Sequence, residues 1–185
     1  IYNNLIIKLM INNKYVINDN VIKKTLNLIK SNNQIDPLMK KINSDIISIS
    51  LNSRVFFKKI PREYYFYIAE GYRTGITLNQ NLKYAFSWYN RAKNVNKLSN
   101  FYIGEDYYLG LSRDPDLKQA KAYFKKCDEN KSIYYLGIIK MIEEVSKPLN
   151  KRNYTDAYNL LVESFQKGYE PAIKDATMLK RFIKC

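Results

Sequence analysis

The side chains that most often do chemistry are scarce in this chain. It has no histidine, which removes the commonest general base and the commonest zinc ligand. The acidic residues offer two candidate arrangements. Asp114-Pro115-Asp116 has the D-x-D form that holds a metal in sugar-nucleotide enzymes. Glu143-Glu144 is a second carboxylate pair. A hydrolase working with carboxylates alone, such as a glycosidase, needs two of them facing each other across a pocket. Both arrangements have plainer readings. Asp116 stands where a helix starts and caps its open N–H groups. Glu143-Glu144 reads as a solvated loop pair. No C-x2-C, P-loop or dinucleotide-binding glycine pattern occurs. The expectation is therefore no catalytic residue, no metal site and no cofactor.

The elements that would hold any site show a repeat. Ile68-Ala69-Glu70-Gly71-Tyr72-Arg73-Thr74-Gly75 returns thirty-five positions later as Ile103-Gly104-Glu105-Asp106-Tyr107-Tyr108-Leu109-Gly110. A fixed period of this size marks a chain built from stacked copies of one small unit. In the first copy Tyr64, Ile68 and Tyr72 share one helix face, with Pro61 at its start. After a break from Gly75 to Asn81, Asn81 caps a second helix, whose apolar face is Ala85, Trp88, Tyr89 and Ala92. In the second copy Ser99, Ile103 and Tyr107 take the first face and Gly110 ends the helix. Asp116 caps the next helix, with Ala120, Tyr123, Phe124 and Cys127 facing inward. The two copies align without a gap. A looser third copy has Ser132, Leu136 and Gly137, a longer loop from Glu143 to Asn150, and a helix capped by Asn153 with Ala157, Leu160, Leu161 and Ser164. Lys167-Gly168 closes it. Pro171-Ala172 opens a last helix through Met178, Leu179 and Phe182.

Bulk properties agree with an ordered chain. Of its 185 residues, 46% are hydrophobic, which argues against disorder. Six Gly and five Pro are too few for a many-turned β sandwich. The net charge of +14 admits an acidic partner, whether nucleic acid, an anionic membrane or an acidic protein. That charge is spread: residues 1–60, 61–130 and 131–185 hold ten Lys and Arg against three Asp and Glu, eleven against eight, and ten against six. Nucleic-acid binding usually needs clustering, so a soluble basic surface is the plainer reading. No run of eighteen apolar residues is present, so no membrane-spanning helix is expected. Cys127 and Cys185 lie more than one repeat apart, too far for the roughly 7 Å that a disulfide allows. The chain opens at Ile1 without the pattern of a signal peptide, which reads as a processed end or a chosen boundary.

Residues 1–60 carry the repeat less clearly. Val21, Ile22, Leu26 and Ile29 fit an amphipathic helix capped by Asp19 or Asn20. Asp36-Pro37 starts another, continued by Leu38, Ile42 and Ile46. Ser53 to Ile60 echoes Ala120 to Cys127, so this part is either a degenerate unit or a helical extension. Leu5, Ile6, Ile7, Leu9, Met10 and Ile11 are apolar enough to need cover from a helix or another molecule.

The repeat resembles the Sel-one-like repeat (SLR) family, relatives of the tetratricopeptide repeats. Gly75, Ala85, Trp88-Tyr89 and Arg91-Ala92 carry the motif in the first unit. Ile103-Gly104, Tyr107, Gly110, Asp116, Ala120, Tyr123-Phe124 and Lys126 carry it in the second. Leu136-Gly137 and Ala157 carry it in the third. Gly168-Tyr169-Glu170-Pro171-Ala172 looks like the family's inter-repeat turn. Departures are Thr77 and Ser112 for the second motif glycine, Lys140 for the motif tyrosine and Leu160 for an aromatic. The resemblance implies an all-α solenoid of stacked antiparallel hairpins, with units at about 61–95, 96–130 and 131–170. A C-terminal helix at 171–185 and a helical extension at 1–60 complete it.

The resemblance also implies work as a protein–protein scaffold or adaptor, with no catalysis. Such proteins are common in bacteria, often periplasmic or secreted, and tied to envelope assembly or host contact. It places inward-facing positions at Phe66 and Glu70, Phe101 and Glu105, and Tyr134 and Ile138, with Arg73 and Tyr108 a turn further on. This column suits an extended or helical peptide with basic or apolar side chains. The plainer reading is that its rings pack between hairpins. A basic nucleic-acid or acidic-surface binder is the rival function. Composition leaves the oligomeric state open.

Overall fold

The computed structural model describes residues 18–52, 58 and 60–183. Among these residues there are nine α-helices and no strands. They are α1 (Asp19–Ser31), α2 (Pro37–Asn52), α3 (Tyr65–Thr74), α4 (Leu82–Ala92), α5 (Leu98–Leu109), α6 (Leu117–Phe124), α7 (Asn130–Val145), α8 (Thr155–Gln166) and α9 (Ala172–Lys180). Single 3-10 turns lie at Arg62–Tyr64 and Leu149–Lys151. The expected all-α architecture holds. The chain forms two compact units that divide between Ala85 and Phe86. The division falls within α4.

In the first unit α1 packs on α2 and on α3. Its cap is Asn18, whose Oδ1 accepts from the Val21 N–H at 3.1 Å. This is one residue before the expected Asp19 or Asn20, because the cap must sit outside the helix to reach its third residue. Ile22, Leu26 and Ile29 of α1 are buried, as are Ile42, Ile46 and Ile47 of α2. Asp36 caps α2 through Met39 N–H at 3.0 Å, while Leu38 is left exposed. Asn43 on α2 donates to the Thr77 carbonyl at 3.3 Å, and Ser44 Oγ accepts from the Asn79 N–H at 3.0 Å. These bonds tie α2 to the loop that follows α3.

The repeat is visible bond for bond. In the first unit Gly75 N–H closes α3 on the Gly71 carbonyl, Asn81 N–H reaches the Tyr72 carbonyl, and Asn81 Oδ1 caps α4 at Tyr84 N–H. Thirty-five residues later, in the second unit, Gly110 N–H closes α5 on Asp106, Asp116 N–H reaches Tyr107, and Asp116 Oδ1 caps α6 at Gln119 N–H. Gly75 and Gly110 stand at φ +70° and +68°, the left-handed conformation that glycine adopts without strain. Asp116 is thus a structural cap. Among the described residues no three of His, Cys, Asp and Glu gather as metal ligands do.

The second unit packs its helices in sequence: α5 on α6, α6 on α7, α7 on α8 and α8 on α9. One core cluster is built on Phe101, Ala120, Phe124, Cys127 and Ile139, a second on Ala157, Leu161, Ala176 and Leu179. Cys127 is buried past the end of α6. Tyr123, expected on an inner face, is only half-buried; in the last helix Leu179 is buried and Met178 exposed, and the helix ends at Lys180, short of Phe182. The Ser53–Ile60 echo falls almost wholly outside the described residues, as do the apolar run Leu5–Ile11 and Cys185.

Glu143-Glu144 is not a solvated loop pair. Helix α7 runs on to Val145, and Glu144 is 2% exposed. Its carboxylate accepts from Lys147 Nζ at 2.7 Å and from the Asn153 N–H at 3.0 Å. It therefore pins the loop between α7 and α8 at both ends. Hydrogen bonds from Lys147 and from the Asn153 backbone hold its carboxyl below the usual value. The anion is favoured in the fold, so this stabilisation is fully present above the ordinary carboxylate value and is lost as pH falls below it towards the lowered value of the folded state. Glu144→Gln is expected to speed tryptic cleavage after Lys151 and Arg152 at neutral pH. Urea midpoints of the two proteins, apart at neutral pH, should converge in acid; equal cleavage at neutral pH would remove Glu144 from this role.

A Cβ on Gly104 would lie 2.8 Å from Phe124 Cδ1 and Cε1. That ring is fully buried and cannot retreat. Gly104→Leu is expected to cost about 1–3 kcal/mol by overpacking, read as a lower denaturation midpoint in urea. An unchanged midpoint would contradict the packing.

Candidate functional site

The residues singled out from sequence fall into both units. In the first unit Phe66 is half-buried on α3 and meets Tyr67 edge-on at 5.8 Å. Glu70 and Arg73, one turn apart on α3, form a two-pronged ion pair: Arg73 Nε and Nη2 donate to the two Glu70 oxygens at 2.9 and 2.7 Å. Each is the other's partner, so neither presents a bare charge. Lys30 of α1 lies over the rings of Tyr64 and Tyr67 at 5.6 and 5.7 Å.

In the second unit the structure separates Phe101 from the others. Phe101 is 5% exposed, in contact with the rings of Tyr102, Phe124 and Tyr135. It supports the surface from beneath. Glu105, Tyr108, Tyr134 and Ile138 are all half-buried. Tyr134 and Ile138 lean on the Ala157–Leu161–Ala176–Leu179 cluster.

Three residues that sequence reasoning missed join them: Tyr135, Tyr169 and Asp175. Tyr108 meets Tyr135 at 4.9 Å, Tyr135 meets Tyr134 at 5.5 Å, and Tyr134 meets Tyr169 at 5.0 Å. The Tyr134 hydroxyl donates to Asp175 Oδ2 at 2.8 Å. The outcome is a row of four half-buried tyrosines from α5, α7 and the turn before α9. Two carboxylates lie beside it, Glu105 near Tyr135 and Asp175 on Tyr134. Tyr135 directly follows a position already singled out, and its neighbour drew the attention. Tyr169 stood in a segment read as a turn. Nothing in the sequence signalled Asp175, whose role depends on α9 docking against α7's partner helix.

The electrostatics follow from burial and these acids. Burial, followed by the field of Glu105, pushes the Tyr135 hydroxyl up to about 12. Burial also raises Tyr134, helped by its bond to Asp175, and raises Tyr108. The rings therefore stay neutral at physiological pH. They offer aromatic edges, hydroxyl groups and two carboxylates.

A different set of rings lies on the second unit, all of it tied up in cation contacts. Arg113 sits 3.2 Å from the Phe86 centroid and 4.9 Å from Tyr107, and donates to Asp106 at 2.8 Å. Tyr107 stacks on Tyr123 at 5.8 Å, and Lys93 and Lys126 lie over Tyr123. Ser112, at the place of a motif glycine, donates to Asp106 at 2.9 Å.

Comparison with solved structures agrees with this architecture. A Sel1 repeat protein from Oxalobacter formigenes matches with a TM-score of 0.51 at 18% identity, over 63% of this chain and 87% of that one. A protective antigen present in uropathogenic Escherichia coli strains, which displays an SLR fold, matches with a TM-score of 0.61 at 15% identity. That match covers 90% of this chain and 35% of the antigen, so this chain spans about a third of the antigen's length. No protein-family model and no curated protein matches the sequence. The fold is an all-α helical repeat of the SLR type.

Raised tyrosine values make an alkaline prediction. Tyr135 and, in the first unit, Tyr72 ionise at about 12 in the fold, against an ordinary 10.0. The unfolded chain releases these protons first, so stability is intact below pH 10 and falls as pH rises from 10 towards 12. Urea midpoints measured across that window should fall, and Tyr135→Phe should flatten the fall. A Tyr135→Phe profile parallel to the wild type would contradict it.

Proposed function

We propose that this chain is a non-enzymatic protein-interaction scaffold, and that the tyrosine row of its second unit holds a segment of a partner protein. The observation that carries the reading is the row itself. Tyrosines make large contacts at low entropic cost, which is why interfaces are rich in them. Four in a row, each half-buried and three of them packed on the core with one side, form a ready docking surface. Helical repeats present such surfaces, because each unit is spent on stacking and leaves one face for a partner. The likeness to SLR-fold structures supports the class of work. Envelope assembly or host contact, outside the cytoplasm, is the setting this fold suggests.

Of the residues singled out from sequence, Glu105, Tyr108, Tyr134 and Ile138 belong to this surface. Phe101 serves as its floor. Phe66, Glu70 and Arg73, in the first unit, form a second candidate patch built round an ion pair.

The rival reading, binding of nucleic acid through the +14 charge, has less to stand on. Single-stranded nucleic acid needs open ring faces for its bases to stack on. Tyr123, the ring with lysines around it, is stacked on Tyr107 and covered by Lys93 and Lys126.

The test is capture of a partner by wild type and by Tyr108→Ala with Ile138→Ser. The double variant should keep its helical spectrum and lose capture at least tenfold. Phe101→Ala should instead destabilise by about 3–5 kcal/mol, as loss of a buried ring does. Captured material should persist as salt rises, since phosphate-driven binding falls steeply with ionic strength. Full capture by the double variant would refute the assignment of this face.

A further inference from the structure

Resting on that reading, the charge of the face identifies what kind of segment it takes. The chain has 31 Lys and Arg against 17 Asp and Glu, so acids are scarce and cations are everywhere. In the second unit five of the acids carried on helices are matched by a lysine or arginine. Asp106 pairs with Arg113, Glu143 with Lys121, Glu144 with Lys147, Asp156 with Lys140, and Glu163 with Lys167. Asp175 is different. It is half-buried, and its bond comes from a neutral tyrosine hydroxyl. Among the described residues no lysine or arginine stands within ion-pair distance of it.

A carboxylate withdrawn from water loses solvation, and a neutral donor returns only part of it. A cation returns the rest. The rings beside Asp175 favour the same guest, since tyrosine faces and edges attract cations. The row shows this already: Lys131 Nζ lies 6.0 Å from the Tyr169 centroid. Tyr108, Tyr135 and Ile138 make the rest of the face apolar or aromatic, with the Glu105 carboxylate near Tyr135 adding a second negative charge.

We propose that this face binds a partner segment carrying an arginine or lysine among apolar residues, with Asp175 as the charge partner and the Tyr134–Tyr169 rings flanking the cation. A strongly polybasic segment is disfavoured, because the chain's own +14 repels it.

Labelled, C-terminally amidated nonapeptides Gly-Leu-Gly-Leu-Xaa-Leu-Gly-Leu-Gly with Xaa an arginine, a glutamine or a glutamate, read by fluorescence anisotropy on the full chain, test this. The arginine peptide should bind about tenfold more tightly than the glutamine peptide, the difference one charged hydrogen bond makes. Asp175→Asn should abolish that preference, while Asp114→Asn, in an exposed loop, should leave it. If Asp175→Asn melts early, Asp175→Glu must keep the preference; its loss there would overturn the proposal. Tightest binding by the glutamate peptide would also overturn it, pointing to the net charge instead. Equal binding of the arginine and glutamine peptides, weakened alike by Tyr108→Ala, would overturn the cation and leave the docking face standing. Binding by none of the three would overturn both.

Discussion

Two helices of a hairpin approach closely only where one of them has no side chain in the way. In the second unit that place is Gly104, whose missing Cβ leaves room for the Phe124 ring. In the next hairpin it is Gly137, with Leu161 in the same relation. A large group on the second helix thus fills the space left by glycine on the first. This contact sets how near the helices lie, and so which side chains are left over to meet the next hairpin. Aromatic residues make that meeting. Phe101, Phe124 and Tyr135 bridge α5, α6 and α7 in one cluster. Interior packing is dense enough that a methyl group at the glycine would be felt throughout.

Polar groups at the hairpin tips are arranged around the same constraint. Each tip must end one helix and start another within a few residues. Gly75 and Gly110 end them in the left-handed conformation, and Asn81 and Asp116 start the next by capping. Where the motif glycine is replaced, the two units solve the problem differently. Ser112 joins the Asp106–Arg113 network. Thr77 keeps its hydroxyl buried with no partner, while its carbonyl accepts from Asn43. The longer third loop needs its own anchor, which Glu144 supplies from within α7.

Charge is distributed by the same economy. On the helices of the second unit Asp106, Glu143, Glu144, Asp156 and Glu163 each neutralise a lysine or arginine beside them, which eases the self-repulsion of a strongly basic chain. Arg113, Lys93 and Lys126 cover ring faces as well. The tyrosine row of α5, α7 and the turn before α9 differs, with aromatic surface half-covered and the Asp175 carboxylate bonded to a neutral hydroxyl. A binding reading rests on that remainder, because what folding leaves half-covered is what a partner can still cover.

The sequence by itself determined the period, the helices and the ends of those in the first two copies. Those depend on neighbours a few residues apart: apolar spacing, capping side chains and glycine at left-handed positions. It also marked Glu105, Tyr108, Tyr134 and Ile138, because a register shared by copies places equivalent positions on equivalent faces. It could not tell Phe101 from Tyr134, which occupy the same place in successive units. One is sealed by Phe124 and Tyr135, and the other reaches out to Asp175. Glu144 and Asp175 were likewise illegible, one buried beneath its loop and the other turned towards a tyrosine 41 residues away. Only the tertiary structure decided these, since burial and pairing are set by what arrives from distant parts of the chain, and local spacing carries no record of it.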